Sequence, residues 1–236
     1  ALLDTAAMIQ RRVHDRSGLA ETLLRQRESY VARMDLGKAK ALSFEAAQEA
    51  RASKNEIAFR SVILGLGTLS LHLRDYPAAD AYLSRAIDLC RSAGDTTTMM
   101  LAKSQRIDLY LGIGDIARAV EEKRAVVAYH HTIGDQYEEF EALRELLGIY
   151  VAAGDLQNAE STLQEAERLA RAKSHWYTGL NYDRGILASA RGEWRAADRF
   201  FTRTLQTLER TEPLRRYVVR IHRAHAYAQL GRLRDA

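Results

Sequence analysis

Residues Leu111–Ala119 read LGIGDIARA, and forty residues later Val151–Ala159 read VAAGDLQNA. Aligned on the closing Ala, the phrase recurs through the chain. It stands at Met34–Ala39 (MDLGKA), Arg74–Ala79 (RDYPAA), Gly114–Ala119 (GDIARA), Gly154–Ala159 (GDLQNA), Gly192–Ala197 (GEWRAA) and Gly231–Ala236 (GRLRDA), at spacings of 40, 40, 40, 38 and 39. A second series, Asp15, Asn55, Asp95 and Asp135, has the same 40-residue period but a different phase. Two interleaved series of one period identify a repeat protein.

Each phrase reads as a turn between two helices. A glycine closing a helix takes the left-handed conformation, and the following Asp or Asn accepts hydrogen bonds from the free amides that open the next helix. Pro77 and Pro213 sit at helix starts, where a missing N–H costs nothing. Between turns the apolar residues keep helical spacing. Phe140, Leu143, Leu147 and Tyr150 make one stripe, and Leu156, Ala159, Leu163 and Ala166 make the stripe that faces it. The small Ala ending each phrase lets two helices approach closely. One period is therefore a helix of about 17 residues, a tight turn and a second such helix.

Composition agrees. The chain of 236 residues is rich in Ala, Leu, Arg and Glu, is 47% hydrophobic and has only two prolines, which suits long helices. No apolar run approaches the roughly 18 residues that span a bilayer, and the opening ALLDTAAMIQRRVHD has no secretory pattern. A lone Cys90 allows no internal disulfide. These features lead to the expectation of a cytoplasmic chain without contact to membrane.

The pattern resembles the tetratricopeptide repeat. The second unit carries Leu66-Gly67, Asp75-Tyr76, Ala79, Leu83 and Ala86; the fourth carries Leu146-Leu147, Tyr150, Gly154-Asp155, Ala159, Leu163 and Ala166; the fifth carries Gly185, Gly192, Ala197 and Phe201. The period of 40 exceeds the usual 34. Lys123 replaces the large apolar residue of the third unit, and Arg223-Ala224 replaces Leu-Gly in the sixth. Long repeats of this kind are similar to those in bacterial signalling proteins, including ATP-dependent transcription activators and the sensor regions ahead of cyclase or kinase domains. The resemblance implies an all-α fold, a right-handed superhelical α-solenoid of antiparallel helix pairs. One solenoid over 1–236 is expected, with full repeats at 16–54, 55–94, 95–134, 135–174 and 175–212 and part-repeats at 1–15 and 213–236. The part-repeats suggest a piece of a longer chain.

Catalytic signatures are sparse. The sequence has no phosphate-binding G-x-x-x-x-G-K-[ST] and no H-E-x-x-H. His130 and His131 point to different helix faces. His222 and His225 share a face, but Arg220 and Arg223 flank them, which disfavours a metal. No cofactor, metal or catalytic residue is expected. Residues 191–236 hold eleven Arg against five acidic residues, yet aromatic residues are not interleaved for base stacking, so nucleic acid is not an expected partner.

In the resembled family the first helix of each unit lines a concave groove. Carried onto this chain, that implies Ser104, Gln105 and Asp108, then Arg144 and Glu145, then Tyr182 and Asp183, then His222 and His225 as groove residues, with Leu64, Thr68 and Leu71 at the apolar end. Arg144 is the expected grip for a carboxylate. The expected function is non-catalytic recognition of a protein or peptide, as a scaffold or sensory-regulatory domain of a larger signalling protein, with self-association through repeat ends as a further possibility. The alternative is a small-molecule-sensing regulatory domain of a transcription activator or of a cyclase or kinase.

Overall fold

The computed structural model describes residues 2–171, 176, 179–208 and 213–231. Among these residues there are twelve α-helices and no strand. They are α1 (Leu2–Arg12), α2 (Arg16–Ala32), α3 (Leu36–Ala52), α4 (Glu56–His72), α5 (Tyr76–Ala93), α6 (Thr96–Gly112), α7 (Ile116–Ile133), α8 (Gln136–Ala152), α9 (Leu156–Ala170), α10 (Asn181–Ala190), α11 (Trp194–Thr207) and α12 (Pro213–Gln229). The fold is the all-α array of antiparallel helix pairs that the two series imply. Residues 232–236, most of the sixth phrase, lie outside the described residues, as do 172–175 and 209–212 at the ends of the fourth and fifth repeats. No described helix is long and apolar enough to cross a membrane.

The caps explain the period. Asp15, Asp35, Asn55, Asp75, Asp95, Asp135 and Asp155 precede their helices, and each side chain accepts from the amide three residues on. Asp115 does the same from Arg118 N at 3.1 Å. Gly154 and its counterparts adopt positive φ at the preceding residue, as glycine does readily. Four non-glycine residues, His14, Met34, Lys54 and Arg74, hold φ of 57–60° at the same register, so the turn geometry overrides the local preference.

The chain divides into two compact units, one ending at Ala119 and one beginning at Val120, so that α7 contributes its first turn to unit 1 and the remainder to unit 2. In unit 1 the first helices α2, α4 and α6 pack side by side; in unit 2, α8, α10 and α12 do so. Leu23, Val62, Leu66, Leu83, Ile87 and Cys90 form the centre of the first core. Phe140, Leu143, Leu147, Tyr150, Leu163 and Leu187 form the second, and Ala197, Phe201 and Val219 extend it. Ala39, Ala79, Ala119, Ala159 and Ala197, the closing alanines, have no exposed surface.

One core register shows how the repeats differ. Four residues beyond each closing Ala stand Ser43, Leu83, Lys123, Leu163 and Phe201, all buried. Ser43 satisfies its hydroxyl by donating to Ala39 O at 2.8 Å. Lys123, where an apolar side chain is the norm, ion-pairs with Glu145 of α8, whose side chain is exposed. The lysine stem fills the core position while its charge reaches an acceptor at the surface.

Candidate functional site

The first-helix face of unit 2 carries six of the nine groove residues expected from the sequence and brings four of them into contact. Arg144 on α8 donates from Nε to Asp183 Oδ2 on α10 at 2.6 Å, and from Nη1 to both Glu141 oxygens at 3.0 and 3.1 Å. Burial pushes the Asp183 carboxyl up, and the Arg144 ion pair opposes that push. Burial also works against the Arg144 charge, but the Asp183 and Glu141 carboxylates outweigh it and hold that pKa above its ordinary value. The 2.6 Å distance is that of a close guanidinium–carboxyl contact.

Beside it on α10, Tyr182 meets the edge of His222 on α12 with ring centroids 5.7 Å apart, and His222 stacks on Phe201 at 5.8 Å. Burial, then the neighbouring His225, push the His222 pKa below the usual imidazole value. His225 is exposed and packs edge-on to Trp194 at 5.5 Å. Each histidine thus has an aromatic partner, and among the described residues no three metal-ligating side chains converge. Cys90 is fully buried, and burial pushes its thiol up, away from the thiolate a nucleophile needs.

The surroundings of several of these residues differ from the expectation. Asp183 is a buried counter-ion rather than a groove-lining side chain. Arg144, the expected grip for a ligand carboxylate, is engaged by Asp183 and Glu141 within the protein. Glu145 is engaged with Lys123. Ser104, Gln105 and Asp108 stand on α6 in unit 1, Ser104 and Asp108 exposed and Gln105 accepting from Thr68 Oγ1 at 2.7 Å. Leu64 belongs to the unit 1 core instead of a groove, and Leu71 packs against that core.

Between α10, the end of α11 and the start of α12 lies a cleft of about 320 Å³. Tyr182, Leu208, Leu214, Val218 and Val219 supply most of its apolar lining, with Arg144 and Arg215 also bordering it. Leu214 is 81% exposed and Val218 44%. Together with the exposed Tyr217 and Ile221 they form a stripe at i, i+3, i+4 and i+7 along α12. The sequence carried this signal: an apolar face on a helix whose register already supplied Val219 and Ala226 to the core. Position-by-position carry-over from the family hides it, because Leu214 and Val218 lie outside the positions transferred.

No family model matches the sequence, and no curated protein is similar to it. Solved structures do match. BtubC (BKLC) from P. vanneervenii superposes with a TM-score of 0.65 at 18% identity, over 84% of this chain and 85% of that one. A tetratricopeptide repeat protein from Parabacteroides merdae superposes at 0.64 and 20% identity, over 90% and 74%. The signal transduction ATPase PH0952 from Pyrococcus horikoshii, which has a tetratricopeptide repeat sensor, superposes at 0.70 and 16% identity, over 94% of this chain but 34% of that one. At these identities the likeness is one of fold, and the fold is that of the tetratricopeptide repeat.

Proposed function

We propose that this chain is a non-catalytic recognition module, a scaffold or sensory-regulatory region of a larger cytoplasmic signalling protein, which takes a protein or peptide partner on the first-helix face of unit 2. The observation that carries the reading is the cleft flanked by Leu214 and Val218. Two large apolar side chains held open to solvent beside a concave apolar surface suit an inserted side chain of a partner. Tyr182 adds a flat apolar body with a polar tip, a frequent anchor in interfaces.

The test begins with affinity capture by the full-length protein, followed by titration of the captured partner onto variants. Leu214→Asp and Val218→Asp should each weaken binding at least tenfold, while Arg168→Ala on α9 should leave it unchanged. Loss at Arg168 with both cleft variants intact would move recognition to the second-helix face. Concentration-dependent dimerisation abolished by Leu214→Asp would assign the cleft to a second copy of the chain. A small-molecule reading has one observation in its favour: a cleft of about 320 Å³ falls at the lower end of ordinary ligand-pocket sizes. Thermal stabilisation by a metabolite, lost in Val218→Asp, would favour it.

A further inference from the structure

Four tyrosines occupy one register, four residues before the left-handed turn residue: Tyr30, Tyr110, Tyr150 and Tyr227, ahead of Met34, Gly114, Gly154 and Gly231. Each has a cation over its ring. Lys38 stands 5.4 Å from the Tyr30 centroid, Arg118 4.5 Å from Tyr110, Arg124 5.6 Å from Tyr150 and Arg223 4.9 Å from Tyr227. In two of the four the group is completed by a carboxylate from the residue after the closing Ala of the preceding second helix. Tyr110 donates its hydroxyl to Asp80 Oδ1 at 2.9 Å, and Arg118 approaches Asp80 Oδ2 at 3.8 Å. Arg223 donates to Asp198 Oδ1 at 2.8 Å and to the Tyr227 hydroxyl oxygen.

At Tyr150 the residue in that position is Val120, which packs against the core cluster containing Tyr150. A tyrosine and a cation over its ring are present, the cation here coming from the helix before the tyrosine, and the carboxylate is not. Tyr150 is 3% exposed, and its buried hydroxyl makes no hydrogen bond. Arg124 has no ion-pair partner within 4 Å among the described residues. Asp155 feels its charge, but Asp155 accepts through Oδ1 from Asn158 N and through Oδ2 from Asn158 Nδ2. Tyr150, Arg124, Asn158 and Ser161 border a cleft of about 460 Å³ between α7, α8 and α9. Its other end lies at Glu139 and His131, which bond to each other at 2.8 Å. Eleven residues of α8 separate Glu139 from Tyr150, about 16 Å at 1.5 Å per residue.

We infer that this cleft is a ligand site whose anchor is a carboxylate, held by the Tyr150 hydroxyl and the Arg124 guanidinium, an acceptor of the kind that Asp80 supplies internally beside Tyr110. A guanidinium and a phenol donor match the two oxygens of a carboxylate, and a charged acceptor satisfies the buried hydroxyl. The site lies against the second helices α7 and α9 and does not depend on the first-helix cleft described above.

The carboxylate can come from a free organic acid or from a peptide terminus, and the test separates them. The probes are succinate and tetra-alanine, the latter with a free or an amidated C-terminus, followed by calorimetry and by the NMR signal of Arg124 Nε–H. Saturable binding is expected in the wild type. Tyr150→Phe, which deletes only the hydroxyl, should weaken it roughly ten- to a hundredfold. Val120→Asp should abolish it by restoring the internal carboxylate, with the helical circular dichroism retained. Tighter binding of free tetra-alanine than of succinate, lost on amidation, identifies a peptide terminus; equal or tighter succinate binding identifies a free acid. The inference is overturned if no probe saturates the Arg124 signal, or if Tyr150→Phe binds as the wild type does.

Discussion

The ring of Phe201 on α11 occupies the space that a side chain on Gly185 of α10 would need: a Cβ there would stand 2.5 Å from Cε1. Gly67 bears the same relation to Leu83, at 2.7 Å from Cδ2. These two glycines are sockets for the large residue of the paired helix, while Gly148 on α8 has open space at its Cβ position. Gly185→Ala and Gly67→Ala should each cost about 1–3 kcal/mol by overpacking. Gly148→Ala should gain up to about 1 kcal/mol from helix propensity. Denaturant unfolding of the three variants checks this; equal midpoints would refute the socket assignment.

Arg27 is a largely buried cation with poor compensation, its side chain 15% exposed. Its Nη1 lies where a Cβ on Gly65 would be, its Nε and Nη1 make no hydrogen bond, and its nearest acid, Glu28, is 3.7 Å away. Burial accordingly pushes the guanidinium pKa down. Replacing a buried ion pair by well-packed apolar side chains is often stabilising by about 1–4 kcal/mol, and a partly buried, poorly matched charge should gain less in the same direction. Arg27→Met should therefore raise the melting temperature, and a fall would mean that the guanidinium has a partner in solution.

Lys123 gives the opposite case, since its charge is met. Lys123→Leu restores the apolar register of Leu83 and Leu163 and should be neutral or stabilising. Glu145→Ala strands the ammonium and should cost on the order of 1–2 kcal/mol, less than a fully buried pair because Glu145 faces solvent. The double variant should behave like Lys123→Leu alone, which a double-mutant cycle reads directly.

The helix caps set an acid limit. The Thr98 amide holds the Asp95 carboxyl below its usual pKa, as the Lys38 amide does for Asp35, the Arg118 amide for Asp115 and the Asn158 side chain and amide for Asp155. For an acid with a lowered folded pKa, the unfolded chain binds more protons near pH 4, so the stabilisation is complete above the unfolded pKa and is lost as pH falls through the folded one. Asp183, raised by burial, runs the other way. The melting temperature should fall steadily below about pH 4. Asp95→Asn should flatten that fall, because Asn55 already caps α4 without a charge, accepting from Ala58 N at 2.9 Å.

The repeat was legible because it is written in local chemistry: an Asp or Asn cap, a helix-closing residue and a small Ala at a fixed register each have one physical meaning wherever they occur. The turns at Met34 and Arg74 were readable only through their neighbours, since neither residue favours positive φ by itself. The wall of Arg144, Tyr182, Asp183 and His222 was also legible, because successive first helices place one register side by side. Its charges were not. That Asp183 rather than a ligand would take Arg144 depends on side-chain reach between helices 39 residues apart, and spacing says nothing of reach. The tyrosine register was in the sequence throughout, but its meaning appears only when Asp80 and Val120 are seen at the same position.

The state of Arg144 decides how substitutions on that wall will behave. Arg144→Ala leaves Asp183 buried without its counter-ion, and removing one partner of a buried pair typically costs about 3–5 kcal/mol. Its effect should therefore appear first as lost stability, in binding-free protein, with any loss of partner affinity secondary to it. Asp183→Asn keeps the shape and a hydrogen bond to the guanidinium, whose charge Glu141 still balances at 3.0 Å, so it should cost less than Arg144→Ala. Leu214→Asp should do the reverse, leaving the unfolding free energy within about 0.5 kcal/mol of wild type because an exposed site tolerates substitution, while weakening partner binding at least tenfold. Thermal melts of the three variants, paired with partner titration, separate the roles. If Arg144→Ala melted like the wild type and lost its partner, the ion pair with Asp183 would be open in solution and the arginine would belong to the binding surface after all.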